Sequence, residues 1–397
     1  MTKHLRNVLN SLGKGRNVLL YGPPATGKTR LISQLFEYLG GNSADELKSR
    51  KIVMDPDNIE IPFSYPPSEA TIPLPAKVVW TTFHQSYGYE DFVLGLRPVM
   101  SENYTSLQPW AGVFLDSALE LSDEQSPYKS VVIFIDELNR GNAARIFGEF
   151  MTFLDFDYRE GGTFPLPLPL RQISYEQGLS EDILRQGGKV TRIPEGFTFP
   201  RDIYIVATMN SVDRAAIPID SALARRFDRI EMRPDPNVLY ENWNLESSRF
   251  QPNDVTSWER LSAFETALLL LERLNMEISS DLGSEFELGH GLLLGLQRFY
   301  VEEGSKVREV EDEEAWRTLA AIWDDVLWPQ LEDRYSGRSE HLVKLLMVEE
   351  PPPEGSYAWT FRTSRGGRVL SRAVEPVHLS ELNLDTIRRS LRWLTRA

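Results

Sequence analysis

Along the first half of the chain, apolar residues gather in short, nearly unbroken runs separated by stretches with helical spacing. The runs Asn17–Tyr21, Val78–Phe83, Ser130–Ile135 and Ile203–Thr208 predict strands. Val131-Val132-Ile133-Phe134-Ile135 has no polar alternation, which predicts a strand buried on both faces. Thr29–Tyr38 carries helical spacing, and strands alternating with helices predict a parallel α/β sheet with helices on its faces. After Pro234 the strand signal fades. Ser257–Ser279 places Leu261, Phe264, Leu268 and Leu271 at helical spacing, and Trp316–Tyr335 is a second helical stretch. A last helix is expected from about Asp385, a plausible N-cap, with Ile387, Leu391 and Leu394 on one face.

Two segments break the alternation. Residues 40–77 are polar and end proline-dense, and 157–200 contain Gly161-Gly162 followed by Phe164-Pro-Leu-Pro-Leu-Pro-Leu170. Alternating Pro cannot sit in a central strand, so both are expected as insertions projecting from the first domain, or as plain surface loops. The expected organisation is an α/β domain over 1–234, a small helical domain over 235–346, and a basic extension over 347–397 beginning near Pro351-Pro352-Pro353.

Composition changes this picture little. An apolar content of 41% and a charged content of 25% are ordinary for a globular protein, and no apolar stretch reaches a membrane span. The N-terminus lacks the apolar core of a secretory signal, and without cysteine there is neither a disulfide framework nor a thiolate metal site. A cytoplasmic location and no membrane partner are expected. The five His are too scattered to nominate a metal cluster. A net charge of −15 disfavours DNA spread over the outer surface. The tail from Gly355 is the exception, with eight Arg and no Lys against Glu375, Glu381 and Asp385. Contact with DNA or an acidic partner, or packing of one helix against the helical domain, would each account for it.

Chemistry enters with Gly22-Pro23-Pro24-Ala25-Thr26-Gly27-Lys28-Thr29, directly after the first strand and before a helix. This fits G-x-x-x-x-G-K-[ST], whose glycines let backbone N–H groups face phosphate oxygens. Lys28 supplies charge at the β/γ-phosphates, Thr29 offers a hydroxyl to Mg²⁺, and the helix N-terminus adds its positive end. The buried strand ends in Asp136-Glu137, at the sheet edge where a ligand crevice forms. Asp136 is expected to hold Mg²⁺ through water, and Glu137 to orient and polarise the attacking water. Asn210, at the end of the next strand, can donate to the γ-phosphate and accept from that water. Arg225 and Arg226 suit a neighbouring subunit's γ-phosphate as fingers in trans, which implies a ring; surface arginines paired with Asp228 or Glu231 are the plainer reading.

These four elements in this order, followed by a helical lid, resemble the AAA+ P-loop NTPase fold. Phe83–Phe92, Ile135–Asn142, Met209–Arg214 and Leu288-Gly-His290 sharpen the resemblance to the McrB family, over about Asn17 to about Tyr335. That resemblance implies the motor subunit of a modification-dependent restriction system: a hexameric NTPase using GTP or ATP with Mg²⁺, stimulated by a McrC-like nuclease subunit. DNA would be reached through a partner or the central pore. The resemblance also assigns accessory roles to Asn139, Arg140, Asp213 and Arg214. The family usually places a DNA-reading domain before the motor, whereas here the phosphate loop starts at residue 22, so sequence recognition is expected from a partner or an insertion. His84 sits among core-like aromatics, and Gly289-His290-Gly291 fits either a lid approach to nucleotide or a turn. No nuclease motif is seen. A MoxR-type ATP-dependent chaperone and a nucleotide-gated assembly switch are the alternative functions. Asn210-Ser-Val-Asp213 follows a strand beside the active site, so it is no guanine code, and the base is left open.

Overall fold

The runs of apolar residues become the middle layer of a three-layer α/β/α arrangement. In the computed structural model, residues 2–39, 72–100, 105–168, 182–193, 196–212, 219–243, 245, 260–303, 306–309, 312–347, 351–366, 369–374 and 377–396 are described. They form two compact units: Met1–Tyr21 with Gly27–Met232, and Gly22–Thr26 with Arg233–Ala397.

The first unit opens with helix α1 (Lys3–Gly13), strand β1 (Asn17–Gly22) and helix α2 (Lys28–Tyr38). Strand β2 (Ala76–Thr82) follows, then an antiparallel hairpin of β3 (Leu94–Met100) and β4 (Thr105–Ala111), helix α3 (Val113–Leu121) and strand β5 (Ser130–Asp136). Short strands β6 (Asp182–Leu184) and β7 (Val190–Arg192) precede β8 (Ile203–Asn210), helix α4 (Ser221–Ala224) and β9 (Phe227–Glu231). The main sheet runs β2-β5-β8-β1-β9, with β2 and β9 parallel to their neighbours β5 and β1. Strands β3, β4, β6 and β7 make a separate four-stranded sheet.

Period-two alternation sends successive side chains of each central strand to opposite faces. Leu19, Val131, Ile133, Ile135, Ile203, Ile205 and Ala207 pack on one face beneath α3 and residues 143–154. Val18, Leu20, Val132, Phe134, Tyr204 and Val206 pack on the other beneath α1 and α2. Both faces are dry, so each large apolar side chain contributes roughly 1.5–3 kcal/mol of burial. Asn17 ties β1 to its surroundings: its Nδ2 donates to the Leu154 carbonyl at 2.9 Å and its Oδ1 accepts from Ile205 N–H at 3.1 Å.

Of the first expected insertion only residues 72–77 are described, and 169–181 of the second also lie outside the described residues. What is described of the second is held by two buried cations. Arg159 donates to the Arg201 carbonyl at 3.0 Å, and Arg185 pairs with Asp116 at 2.8 Å and Glu120 at 2.5 Å on α3. Lone buried guanidinium groups are costly, and these are paid for by carbonyl and carboxylate acceptors.

In the second unit, helix α5 (Ala263–Asp281) starts at a capping box in which Ser262 and Glu265 satisfy each other's backbone N–H. Helix α6 (Asp312–Ile322) passes through one π turn, Trp323–Leu327, into helix α7 (Trp328–Arg334). Two antiparallel hairpins, Tyr300–Glu303 with Lys306–Glu309 and Phe361–Gly366 with Val369–Val374, interrupt the helical pattern. Helix α8 (Leu384–Trp393) ends the chain. Its N-cap is Asn383, whose side chain accepts from Thr386 N–H at 2.9 Å, two residues before the expected Asp385. Ile387, Leu391 and Leu394 enter the same core as Trp316, Trp323 and Leu331. The basic residues of α8 and Arg396 just beyond it are occupied within the second unit: Arg392 donates to the Leu261 carbonyl and lies over the Trp316 ring, Arg396 covers Trp393, Arg389 donates to the Glu354 carbonyl, and Arg388 is 3.8 Å from Asp385. The packing explanation of this helix's charge is the one its contacts favour.

Candidate functional site

The strand order sets β8 between β5 and β1, so the strand that ends in Asn210 runs between the one ending in Asp136 and the one leading to the phosphate loop. In the first unit, Gly27 takes φ +86 as the N-cap of α2, a conformation that glycine adopts without penalty. Lys28 follows as the first residue of the helix and is almost wholly buried. Burial pulls its ammonium down to about 8, against the charges of Glu137 and Asp136, which favour the protonated form. An anionic phosphate would supply further compensation for that desolvated charge.

Glu137 leaves β5 in the left-handed region at φ +56, rare for a residue with a side chain. Its Oε1 accepts from Asn210 Nδ2 at 2.6 Å, and Arg140 Nε lies 3.5 Å from Oε2. Asn139, nearly fully buried, donates from Nδ2 to the Asn210 carbonyl at 3.0 Å. The structure therefore brings Asp136, Glu137, Asn139, Arg140 and Asn210 into one hydrogen-bonded group. Asp213 and Arg214 lie outside the described residues.

Thr208 completes this group and was not singled out in the sequence. Its hydroxyl donates to Asp136 Oδ1 at 2.5 Å and accepts from Glu137 N–H at 3.1 Å. The signal was available in principle. Thr208 lies two residues before Asn210, on the same strand face, and the parallel register Ile135↔Ala207 brings it beside Asp136.

The two arginines, adjacent in sequence, differ in surroundings. Arg226 Nε pairs with Asp155 at 3.0 Å and its Nη1 donates to the Ala222 carbonyl at 2.5 Å, leaving 10% of the side chain exposed. Arg225 is exposed and lines an open cavity of about 670 Å³ with Ser11, Phe227, Asp228 and Arg229. Asp228 is held by Arg16 at 3.1 Å.

The rest of the phosphate loop, Gly22–Thr26, groups with the second unit. Ala25 adopts φ +60 and its carbonyl accepts from Gly291 N–H at 2.9 Å. A Cβ on Gly289 would fall 2.2 Å from the Pro24 carbonyl oxygen, so only glycine permits this approach. His290 is buried, and its Nδ1 accepts from Asp235 N–H at 3.1 Å. His84 is exposed beside buried Phe83 and Phe92.

The oxygens expected to serve a divalent cation are the Thr29 hydroxyl, at the start of α2, and the Asp136 carboxylate, at the end of β5. Hard, few and partly anionic, they suit Mg²⁺, which binds through one or two protein oxygens plus phosphates and water.

Residues 69–227 match the family AAA domain (dynein-related subfamily), a span that begins after the phosphate loop and includes Asp136, Glu137, Asn210, Arg225 and Arg226. The chain is 27% identical over 289 residues to the type IV methyl-directed restriction enzyme EcoKMcrB subunit of Escherichia coli K12, covering 72% of this chain and 49% of that protein. It is 23% identical over 247 residues to the type II restriction enzyme BsuMI component YdiS of Bacillus subtilis 168, covering 61% of this chain and 65% of that one. The chain thus spans about half the length of the first relative and under two thirds of the second. Among the described residues no helix is long and apolar enough to cross a membrane.

Proposed function

We propose that this McrB-like AAA+ chain is a ring-forming nucleoside triphosphatase that drives a DNA-targeting restriction complex whose cutting is done by a separate, McrC-like nuclease subunit. The observation that carries the hydrolytic part is the meeting of Asp136, Glu137 and Asn210 at the carboxyl ends of adjacent parallel strands. The restriction part rests on the two relatives, each named as a subunit or component of a restriction enzyme.

In this reading the phosphates of GTP or ATP lie along the Gly22–Thr29 backbone, and Lys28 neutralises charge at the β/γ positions. Thr29 and Asp136 would hold Mg²⁺, which when bound supplies charge neutralisation at the β/γ-phosphate oxygens. Glu137 orients the attacking water and takes up its proton. Asn210 now hydrogen-bonds Glu137 and is placed to exchange that partner for the γ-phosphate or the water. Arg225, exposed on the surface, would enter a neighbouring subunit's site, completing each site in a hexamer. Asn139 and Arg140 steady Asn210 and Glu137 through the contacts already described.

The test is steady-state hydrolysis of GTP and ATP by wild type and Glu137→Gln, alone and with any nuclease encoded beside it. Wild type is expected to turn over one of the two nucleotides, faster with the nuclease. Glu137→Gln should retain nucleotide binding while losing roughly 10²–10⁴-fold in turnover. Hydrolysis of neither nucleotide under any of these conditions would remove the motor reading.

A further inference from the structure

We propose that Thr208 is a positioning residue for hydrolysis, its single hydroxyl fixing both acids of the site at once. The inference rests on the nucleotide-hydrolysing reading above and extends it to a side chain that touches neither phosphate nor water in the scheme given there.

The argument begins with hydrogen-bond inventory. A hydroxyl has one proton to give and lone pairs to accept with. Here the proton goes to Asp136 Oδ1 at 2.5 Å and a lone pair receives Glu137 N–H at 3.1 Å. Thr208 is only 3% exposed, so water competes poorly for either bond. Its β-branched side chain is also stiff at χ1, which keeps the hydroxyl on one heading.

Each bond has a distinct consequence. Donation to Asp136 Oδ1 selects one orientation of a carboxylate at the end of a strand, where backbone alone leaves its torsions free. Acceptance from Glu137 N–H anchors the peptide that enters the left-handed turn at φ +56. Such a conformation is costly for a non-glycine residue and persists only where its surroundings over-determine it. The turn aims the Glu137 carboxylate sideways toward Asn210, to which it is bonded at 2.6 Å. Without the hydroxyl, the Glu137 N–H loses its acceptor and the Asp136 carboxylate loses its donor, while the apolar packing of β8 is left as it was.

Thr208→Val replaces the hydroxyl by a methyl of similar size, and Thr208→Ser keeps the hydroxyl. Three readouts are made on the full chain: kcat and KM, affinity for a fluorescent nucleotide analogue with Mg²⁺ or with chelator, and the Mg²⁺ concentration giving half-maximal binding. Thr208→Val is expected to lose about 10–100-fold in kcat with KM little changed, and to need correspondingly more Mg²⁺. Its chelator affinity should match wild type, and Thr208→Ser should recover most of both losses. A Val variant with wild-type kcat and Mg²⁺ demand overturns the proposal, as does a Ser variant impaired as far as Val. If Val prevents folding, Thr208→Ala is compared with Ser by the same readouts. Should wild type bind nucleotide but hydrolyse none, the motor reading fails alone and the Mg²⁺ dependence of binding still decides Thr208. No nucleotide binding by wild type would end both.

Discussion

Arg225 and Arg226 are identical side chains one peptide bond apart, and their surroundings differ: Arg226 is held and largely buried, Arg225 is exposed. Removing the Arg226 side chain leaves Asp155 without its partner and the Ala222 carbonyl without a donor. Arg226→Ala is expected to lower unfolding free energy by about 2 kcal/mol, read by chemical denaturation, through loss of a largely buried, hydrogen-bonded pair. Arg225→Ala should leave the melting curve where it was and instead cut turnover of the assembled protein by about 10³-fold or more. The reverse pattern would make Arg226 the finger. The sequence contained both arginines but not this distinction, because Asp155 lies 71 positions away and only the fold brings it in. The placement of Lys28 at a helix start and of Asp136 and Glu137 at a strand end was legible for the contrary reason: it follows from local spacing against a strand and a helix. Thr208 was not, since its meaning depends on the register of two strands.

At the level of elements, β1, β5 and β8 were legible because apolar runs buried on both faces have no other stable placement, and β2, at the sheet edge and only partly buried, was legible from the β-branched and aromatic residues of its own run. Hairpin β3–β4 was not: it carries Pro98, Pro109, Arg97 and Gln108, residues that dilute any strand signal. The hairpins of the second unit are likewise short and rich in charge. The π turn between α6 and α7 was also unannounced, and it presents Asp324 as an acceptor. Asp324 receives Leu379 N–H at 2.8 Å, Ser380 N–H at 2.9 Å and the Ser380 hydroxyl at 2.7 Å. This carboxylate ties the approach to α8 to the helical core across 55 residues. Asp324→Ala should cost about 2 kcal/mol in chemical denaturation and raise amide exchange at 379–380, because one buried and one part-buried N–H lose a charged acceptor. Unchanged exchange there would show that the tail is held by its apolar face alone.

For the molecule as a whole, the chain changes unit after Met232. The sequence left Gly289-His290-Gly291 between a lid approach to nucleotide and a turn, and did not show that Gly22–Thr26 would group with residues far downstream. The contact is backbone to backbone, Ala25 to Gly291, and its trace in the sequence is the two glycines. Gly289→Ala tests it: the added methyl meets the Pro24 carbonyl, so nucleotide affinity should fall about tenfold, with Gly291→Pro, which deletes the N–H, moving the same way. Wild-type affinity in both would make the contact incidental.

The grouping of the loop tip with the second unit has a consequence for divisibility. The chain changes unit between Tyr21 and Gly22, again between Thr26 and Gly27, and a third time between Met232 and Arg233. Three covalent threads therefore join two bodies that a linear diagram would separate with one cut. A chain ending at Met232 retains every residue of the G-x-x-x-x-G-K-T loop and both acids, yet leaves the Ala25 carbonyl without the N–H it accepts and Gly22–Thr26 without the body they pack in. The nucleotide loop is in this sense borrowed by its own domain, and removing the lender is expected to leave a complete motif without its shape.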